Sequence, residues 1–189
     1  PARHADVAAA VPLVAFLPDD LDLVKRGPAL RREYLDDLVS RMSPTAGADL
    51  ADYDKTLRQR NGLLRAEGRH ADTMTLDVWD ERLADLGSRV LAHRLRALDR
   101  VASRLAEAYA MVGGGGHLEA TYMSAWAGTV DGASSRDPVD HRAVLAEALL
   151  QRRGRDMEQR TTTAGPHRDD PGFSLESRDL RTQASQGEQ

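Results

Sequence analysis

TLDVWDERLADLGSRVLAHRLRALDRVASRLAEAYAMV, residues 75–112, decides the fold. Within it Val78, Trp79, Leu83, Leu86, Val90, Leu91, Leu95, Leu98, Val101, Leu105 and Tyr109 recur in steps of three and four. That is the period of one face of an α-helix. The pattern holds over several heptads, as a coiled-coil-like arm requires. Gly87 lies inside it and costs about 1 kcal/mol relative to alanine, which a helix of this length absorbs.

Working back toward residue 1, Leu50, Tyr53, Leu57 and Leu64 continue the helical period, and residues 67–70 read as a loop. Leu30, Tyr34, Leu35, Leu38, Val39 and Met42 mark an earlier helix. Pro28 opens it, because a first-turn residue needs no amide hydrogen. Residues 11–17 form a short apolar run, read as a buried strand, and Asp19 and Asp20 can accept bonds from the first amides of the next helix.

On the other side, the glycines at 113–116 stop the long helix. Leu118, Ala120 and Tyr122 alternate with His117, Glu119 and Thr121, the period of a half-buried strand. Residues 128–138 read as a polar loop, and 139–159 as a helix with Val144, Leu145, Ala148 and Leu149 inward. Strands are expected at 161–164 and 173–175 around a Gly165-Pro166 turn, with a further one possible at 180–185. The order of strand, long helical segment and strands implies a helical insertion between two parts of one sheet domain. The fold expected is mainly α with short β segments.

Composition narrows the function. The chain has 189 residues, 41% hydrophobic and only 4% aromatic, so leucine, valine and alanine must do most of the packing. A net charge of −4 announces no polyanion-binding surface, so any contact with DNA must be local. Without cysteine, disulfides and thiolate metal sites are excluded, and a cytoplasmic location fits. The apolar stretch at 7–17 is broken by Pro12 and too short to span a bilayer, so no membrane partner is expected. Residue 1 is Pro rather than Met, and both ends read as cut.

Candidate chemistry is sparse. A phosphate-binding P-loop needs Lys and Ser or Thr directly after its glycines, whereas His117-Leu118 follows the glycine run. His167-Arg168-Asp169 matches the kinase catalytic triplet, but the metal-binding Asn that should follow is missing. The alternative is a turn after Pro166 with an exposed Arg–Asp pair. The 6 histidines are scattered, with no metal-ligand spacing. Arginines cluster at Arg31-Arg32, at Arg58 with Arg60, along the long helix and at Arg152-Arg153. Guanidinium groups suit phosphate, but each cluster is interleaved with acids, which favours a solvated, salt-bridged face.

The sequence also resembles the RecF family of bacterial repair proteins. The likeness rests on Phe16-Leu17-Pro18-Asp19-Asp20-Leu21, and on Gly27-Pro28 with Arg31-Arg32 and Leu35-Asp36. It continues in Asp52-Tyr53 with Leu57-Arg58-Gln59-Arg60-Asn61, and in Gly165-Pro166-His167-Arg168-Asp169-Asp170. It ends in Ala184-Ser185-Gln186-Gly187-Glu188-Gln189. The order and spacing match over almost the whole chain, and the Arg- and Ala-rich wording looks actinobacterial. Departures are Pro171, Gln183 and Glu188, where the family usually has Leu, Phe and Gln.

The resemblance implies a helical arm inserted into a partial α/β ABC-type ATPase head. Residues 1–17 and 161–189 would be head and 18–160 arm, making the chain an internal piece of a longer protein. Family members bind ATP with magnesium, dimerise around it, bind single-stranded and gapped or double-stranded DNA, and with RecO and RecR help load RecA in repair and the SOS response. The intact family member is a weak DNA-dependent ATPase. The Walker A and Walker B motifs are absent from these residues, so this chain alone is expected to bind no ATP and to be no enzyme. Ser185, Gln186 and Gly187 would form the signature that reaches ATP held by a second subunit. Arg31, Arg32, Arg58 and Arg60 are the candidate DNA contacts. The rival reading is a stand-alone helical interaction module with no nucleotide.

Overall fold

The computed structural model describes residues 22–111, 116–130 and 137–180. The expected strand at 11–17 and the signature residues Ser185, Gln186 and Gly187 lie outside them. The elements run α1 (Asp22–Lys25), α2 (Pro28–Met42), α3 (Pro44–Glu67), a 3-10 turn (Gly68–His70) and α4 (Thr73–Met111). Then follow β1 (Leu118–Ser124), β2 (Gly128–Val130), α5 (Pro138–Gln159), a second 3-10 turn (Pro166–Arg168), β3 (Asp170–Leu175) and β4 (Arg178–Asp179). A fold mainly α with short β segments is what the sequence led us to expect.

Local chemistry sets the helix ends. Ser43 closes α2 through its N–H to the Val39 carbonyl, and its side chain accepts from the Ala46 amide at 3.4 Å to open α3. Asp72 caps α4, accepting the Thr75 amide at 2.8 Å, and Asp137 caps α5 through the Val139 amide at 3.0 Å. Pro28, Pro44 and Pro138 each take the first helical position.

α4 is the spine, packing against α2, α3, α5 and β1. Its Leu83, Leu86, Val90, Leu91 and Leu95 meet Leu35 and Val39 of α2, Tyr53 of α3, Tyr122 of β1, and Leu145 and Leu149 of α5 in one core. The stripe starts elsewhere than its spacing suggested: Leu76 is buried while Val78 is 65% exposed. Tyr34 and Val144, read as inward, also face solvent. Gly87 has a packing purpose. A Cβ there would lie 2.6 Å from Leu145 Cδ2 and 3.2 Å from Tyr53 Cε2, so the glycine lets α3 and α5 close onto α4.

The sheet is antiparallel in the order β2-β1-β3-β4. β1 buries Leu118 and Tyr122 as its alternation requires. Three expectations are corrected. The polar loop at 128–138 begins with β2, which pairs with β1. Residues 161–164 are not a strand: the Thr161 amide bonds the Asp156 carbonyl, the Thr162 and Thr163 amides bond the side chains of Asn61 and Asp156, and the Thr162 carbonyl is taken by His167 and Arg168. Leu180 is helical, so the possible strand at 180–185 does not start there; its remainder lies outside the described residues. Pro171 falls on the part of β3 that β4 does not reach, where a sheet tolerates proline.

Candidate functional site

Arg31, Arg60, Arg94 and Asp156, all buried, converge through direct bonds on residues 161–170, the segment joining α5 to β3. Thr162 is held first. Its amide and hydroxyl donate to Asn61 Oδ1 at 2.8 and 2.7 Å. Arg60 Nη1 donates to the same hydroxyl at 2.9 Å. Arg60 itself is wholly buried between Asp80 at 2.6 Å and Asp156 at 2.8 Å, and its Nη2 has no hydrogen-bond partner among the described residues. Asp156 turns its other oxygen to the Thr163 amide at 2.9 Å. Thus Arg60 and Asn61 grip a residue about a hundred positions away in sequence.

His167 is held on both faces. Its Nε2 lies 3.0 Å from the Thr162 carbonyl, which can only accept, so that nitrogen carries the hydrogen. Nδ1 therefore accepts from the Tyr53 hydroxyl at 2.7 Å. Burial, helped by the nearby Arg168, Arg32 and Arg94, keeps the ring neutral, with its pKa lowered to about 4. Burial likewise pushes the Tyr53 hydroxyl well above its usual pKa. Gly165 makes room: at φ 127° its backbone suits glycine, and a Cβ would sit 2.6 Å from Tyr53 Oη.

Arg94 is the third anchor. It lies 3% exposed on α4 and donates through Nε and Nη2 to both Asp36 oxygens at 2.7 and 2.8 Å. Its Nη1 donates to the Pro166 carbonyl at 2.7 Å and to the Tyr122 hydroxyl at 3.1 Å. Burial works against its charge, but Tyr122 and Asp36 outweigh burial and hold its pKa above the usual arginine value. The Tyr122 hydroxyl donates to Asp169 Oδ2, and Trp126 Nε1 to Oδ1, both at 3.0 Å. Burial raises Asp169 to about 6, offset in part by bonds from Ser124, Tyr122 and Trp126 and by the Arg94 charge.

The sequence candidates therefore divide. Arg31 is buried in a two-pronged pair with Asp170 at 2.8 and 3.0 Å. Arg32 is half-buried and donates to the Asp169 carbonyl at 2.6 Å. Arg60 is interior, and of these four only Arg58 is exposed. The exposed Arg–Asp pair expected after Pro166 is also corrected: Arg168 is exposed, but Asp169 is fully buried and faces Tyr122 and Trp126. Both His167 nitrogens are committed, and Asp169, the base of the kinase triplet, is buried with both oxygens bonded by Tyr122 and Trp126, so the triplet has no free base. The arrangement is a clasp. Among the described residues no group of three or more His, Asp or Glu is placed to hold a metal ion.

Sequence reasoning gave no site role to Asp36, Tyr122, Trp126 or Thr162, and read Arg94 as part of a surface cluster. A signal existed for the arginines. Arg94 sits at helical spacing from Val90, Leu91 and Leu98, and Arg60 from Tyr53, Leu57 and Leu64, so both point where the apolar stripe points.

No protein-family profile matches the chain. The fold is similar to a solved structure of the recombination mediator protein RecF with ATP, at TM-score 0.83 and 29% identity, over 92% of this chain and 45% of that one. A second, solved as RecF-ATPrS, matches at TM-score 0.82 over 91% of this chain. What the fold defines is a helical arm joined to part of an ABC-type ATPase head. The RecF protein of Kineococcus radiotolerans, described as a DNA replication and repair protein, is 38% identical over 98% of this chain and 51% of its own length. Those of Acidothermus cellulolyticus and Heliobacterium modesticaldum are 37% and 40% identical over 98% and 99% of this chain. The chain belongs to the RecF family. It spans about half the length of the curated relatives it matches.

Proposed function

We propose that this chain is the arm and part of the head of an ATP-switched DNA-binding factor. Acting with RecO and RecR, that factor helps load RecA at gapped DNA in recombinational repair and the SOS response. The observation that carries this reading is the match of the fold, over 92% of this chain, to RecF solved with ATP. Residues 18–160 are the arm; 1–17 and 161–189 belong to the head. In the longer protein, ATP with magnesium sits between two heads, and Ser185, Gln186 and Gly187 approach the nucleotide of the partner head. A hydroxyl and a close backbone N–H are suitable donors to a phosphate. The 189 residues contain no P-loop, so hydrolysis, a weak DNA-dependent activity, belongs to the longer protein.

Binding energy for ATP would be used to close the head dimer and so shift the population that holds DNA. The contacts to DNA would be guanidinium–phosphate pairs, which weaken steeply with salt. Arg58, exposed on α3, is the candidate contact free of the clasp. The test is the affinity of the full-length protein for gapped DNA at fixed salt, with and without ATP. Tighter binding with ATP is expected, and equal affinity in both conditions overturns the reading.

A further inference from the structure

We propose that Arg94 is a positioning residue: through the Pro166 carbonyl and the Tyr122 hydroxyl it fixes how the 165–170 segment leaves the arm, and so couples the arm to the ATP-dependent step. This rests on the function proposed above. The geometry is a closed ring of bonds. Asp36 on α2 binds Arg94 on α4; Arg94 binds Tyr122 on β1; Tyr122 binds the Asp169 carboxylate. The Asp169 carbonyl then returns to α2 through Arg32. Asp36 and Arg32 are one helical turn apart, so the ring begins and ends on the same face of the same helix. A ring of this kind resists rotation of the segment, where a single bond would act as a swivel.

Stability alone does not call for such an arrangement. A buried ion pair is often no better for stability than a well-packed apolar replacement. Arg94 also divides its donors between two elements, Asp36 on one side and the 166 carbonyl on the other. Only a planar fork holds both directions at once, and a lysine ammonium would not. β3 starts at Asp170, directly after the clasped Asp169, so the ring holds the residue from which that strand begins.

The test uses the full-length protein carrying Tyr122→Phe, which removes the hydroxyl linking Arg94 to Asp169 and keeps the ring packing. Tyr122 touches neither nucleotide nor DNA in the proposed function. Three quantities are read: affinity for a fluorescent ATP analogue, DNA affinity without ATP, and DNA affinity with ATP. The first two are expected to stay within about twofold, while the gain from ATP falls by about tenfold, a typical size for coupled sites. A full ATP gain in a folded Tyr122→Phe protein overturns the inference and reduces the ring to a structural one. An equal loss with and without ATP also overturns it. Should Tyr122→Phe not fold, Asp169→Asn carries the same expectation and the same refutation. Absence of any ATP gain in the unaltered protein is a different result: it removes the proposed function, and this inference with it.

Discussion

Asp36 and Arg94 meet as a two-pronged ion pair, 2.7 and 2.8 Å, between helices α2 and α4. The arginine is buried and also holds the Pro166 carbonyl, so this one contact ties the arm to the segment that follows α5. Its removal would leave Asp36 and Asp169 beside an unfilled space. Arg94→Ala is expected to destabilise the chain by about 3–5 kcal/mol, the usual effect of breaking a buried pair from one side. Arg41→Ala breaks the exposed Arg41–Asp37 pair, 72% and 59% exposed, and should change stability by less than about 1 kcal/mol. Urea unfolding of both variants checks the contrast. Equal effects would mean that the Arg94 network is not closed in solution.

Glycines at two positions should behave oppositely to a third. Gly165→Ala forces a side chain into a backbone region near φ 127° and against Tyr53 Oη, and strain of this kind costs about 1–3 kcal/mol. Gly87→Ala gains helix propensity but crowds Leu145, Tyr53 and Pro166; overpacking costs about 1–3 kcal/mol, so a net loss is expected. Gly154 in α5 has nothing within 4 Å of a built Cβ, and Gly154→Ala should stabilise by about 1 kcal/mol. Thermal unfolding of the three variants tests the signs, and a stabilising Gly165→Ala would contradict the clasp geometry.

His167 and Asp169 should oppose each other as pH changes. The His167 pKa is lowered in the fold to about 4 from 6.5. Its contribution is therefore present above pH 6.5 and lost as pH falls toward 4, by roughly 3 kcal/mol. The Asp169 pKa is raised to about 6 from 3.8. Its contribution is present below pH 3.8 and lost as pH rises through 6, again by roughly 3 kcal/mol. Between pH 6 and 4 the two nearly cancel, so Asp169→Asn should uncover a fall in stability on acidification that the unaltered chain hides. The direct check is the imidazole NMR titration of His167. A midpoint near 6.5 would refute the buried, doubly bonded ring.

Arg58 and Arg60 are two residues apart and should give different defects. Arg58 is exposed. In the full-length protein, Arg58→Ala should weaken DNA binding and lower the salt slope by about 1, with stability unchanged. Arg60→Met should unfold more easily, because Asp80 and Asp156 lose their shared cation, by about 3–5 kcal/mol. Filter or anisotropy binding over a salt series, with unfolding in parallel, separates the two. A change of salt slope for Arg60→Met in the folded protein would place that side chain at the DNA after all.

Some of this architecture was written in local spacing. The α4 stripe, the opening of a helix at Pro28 and the alternation of β1 depend on residues within a few positions of one another, so the sequence exposes them, whereas the caps read at Asp19 and Asp20 lie outside the described residues. The segments Arg31-Arg32, Leu57 to Asn61 and Gly165 to Asp170 could be picked out, but spacing gave them no common purpose. Two core-facing arginines were legible as anomalies in an apolar period, and were read instead as surface.

Tertiary structure alone decided which partners those arginines took. Arg60 reaches Thr162 and Arg94 reaches Pro166 only because α3, α4 and the 161–170 segment pack together. A charge that looks ready for phosphate in a linear sequence becomes an internal tie once packing removes its water, since an unpaired buried charge is too unfavourable to persist. Helical periodicity names the face a side chain occupies; what lies across from that face is set by segments distant in the chain.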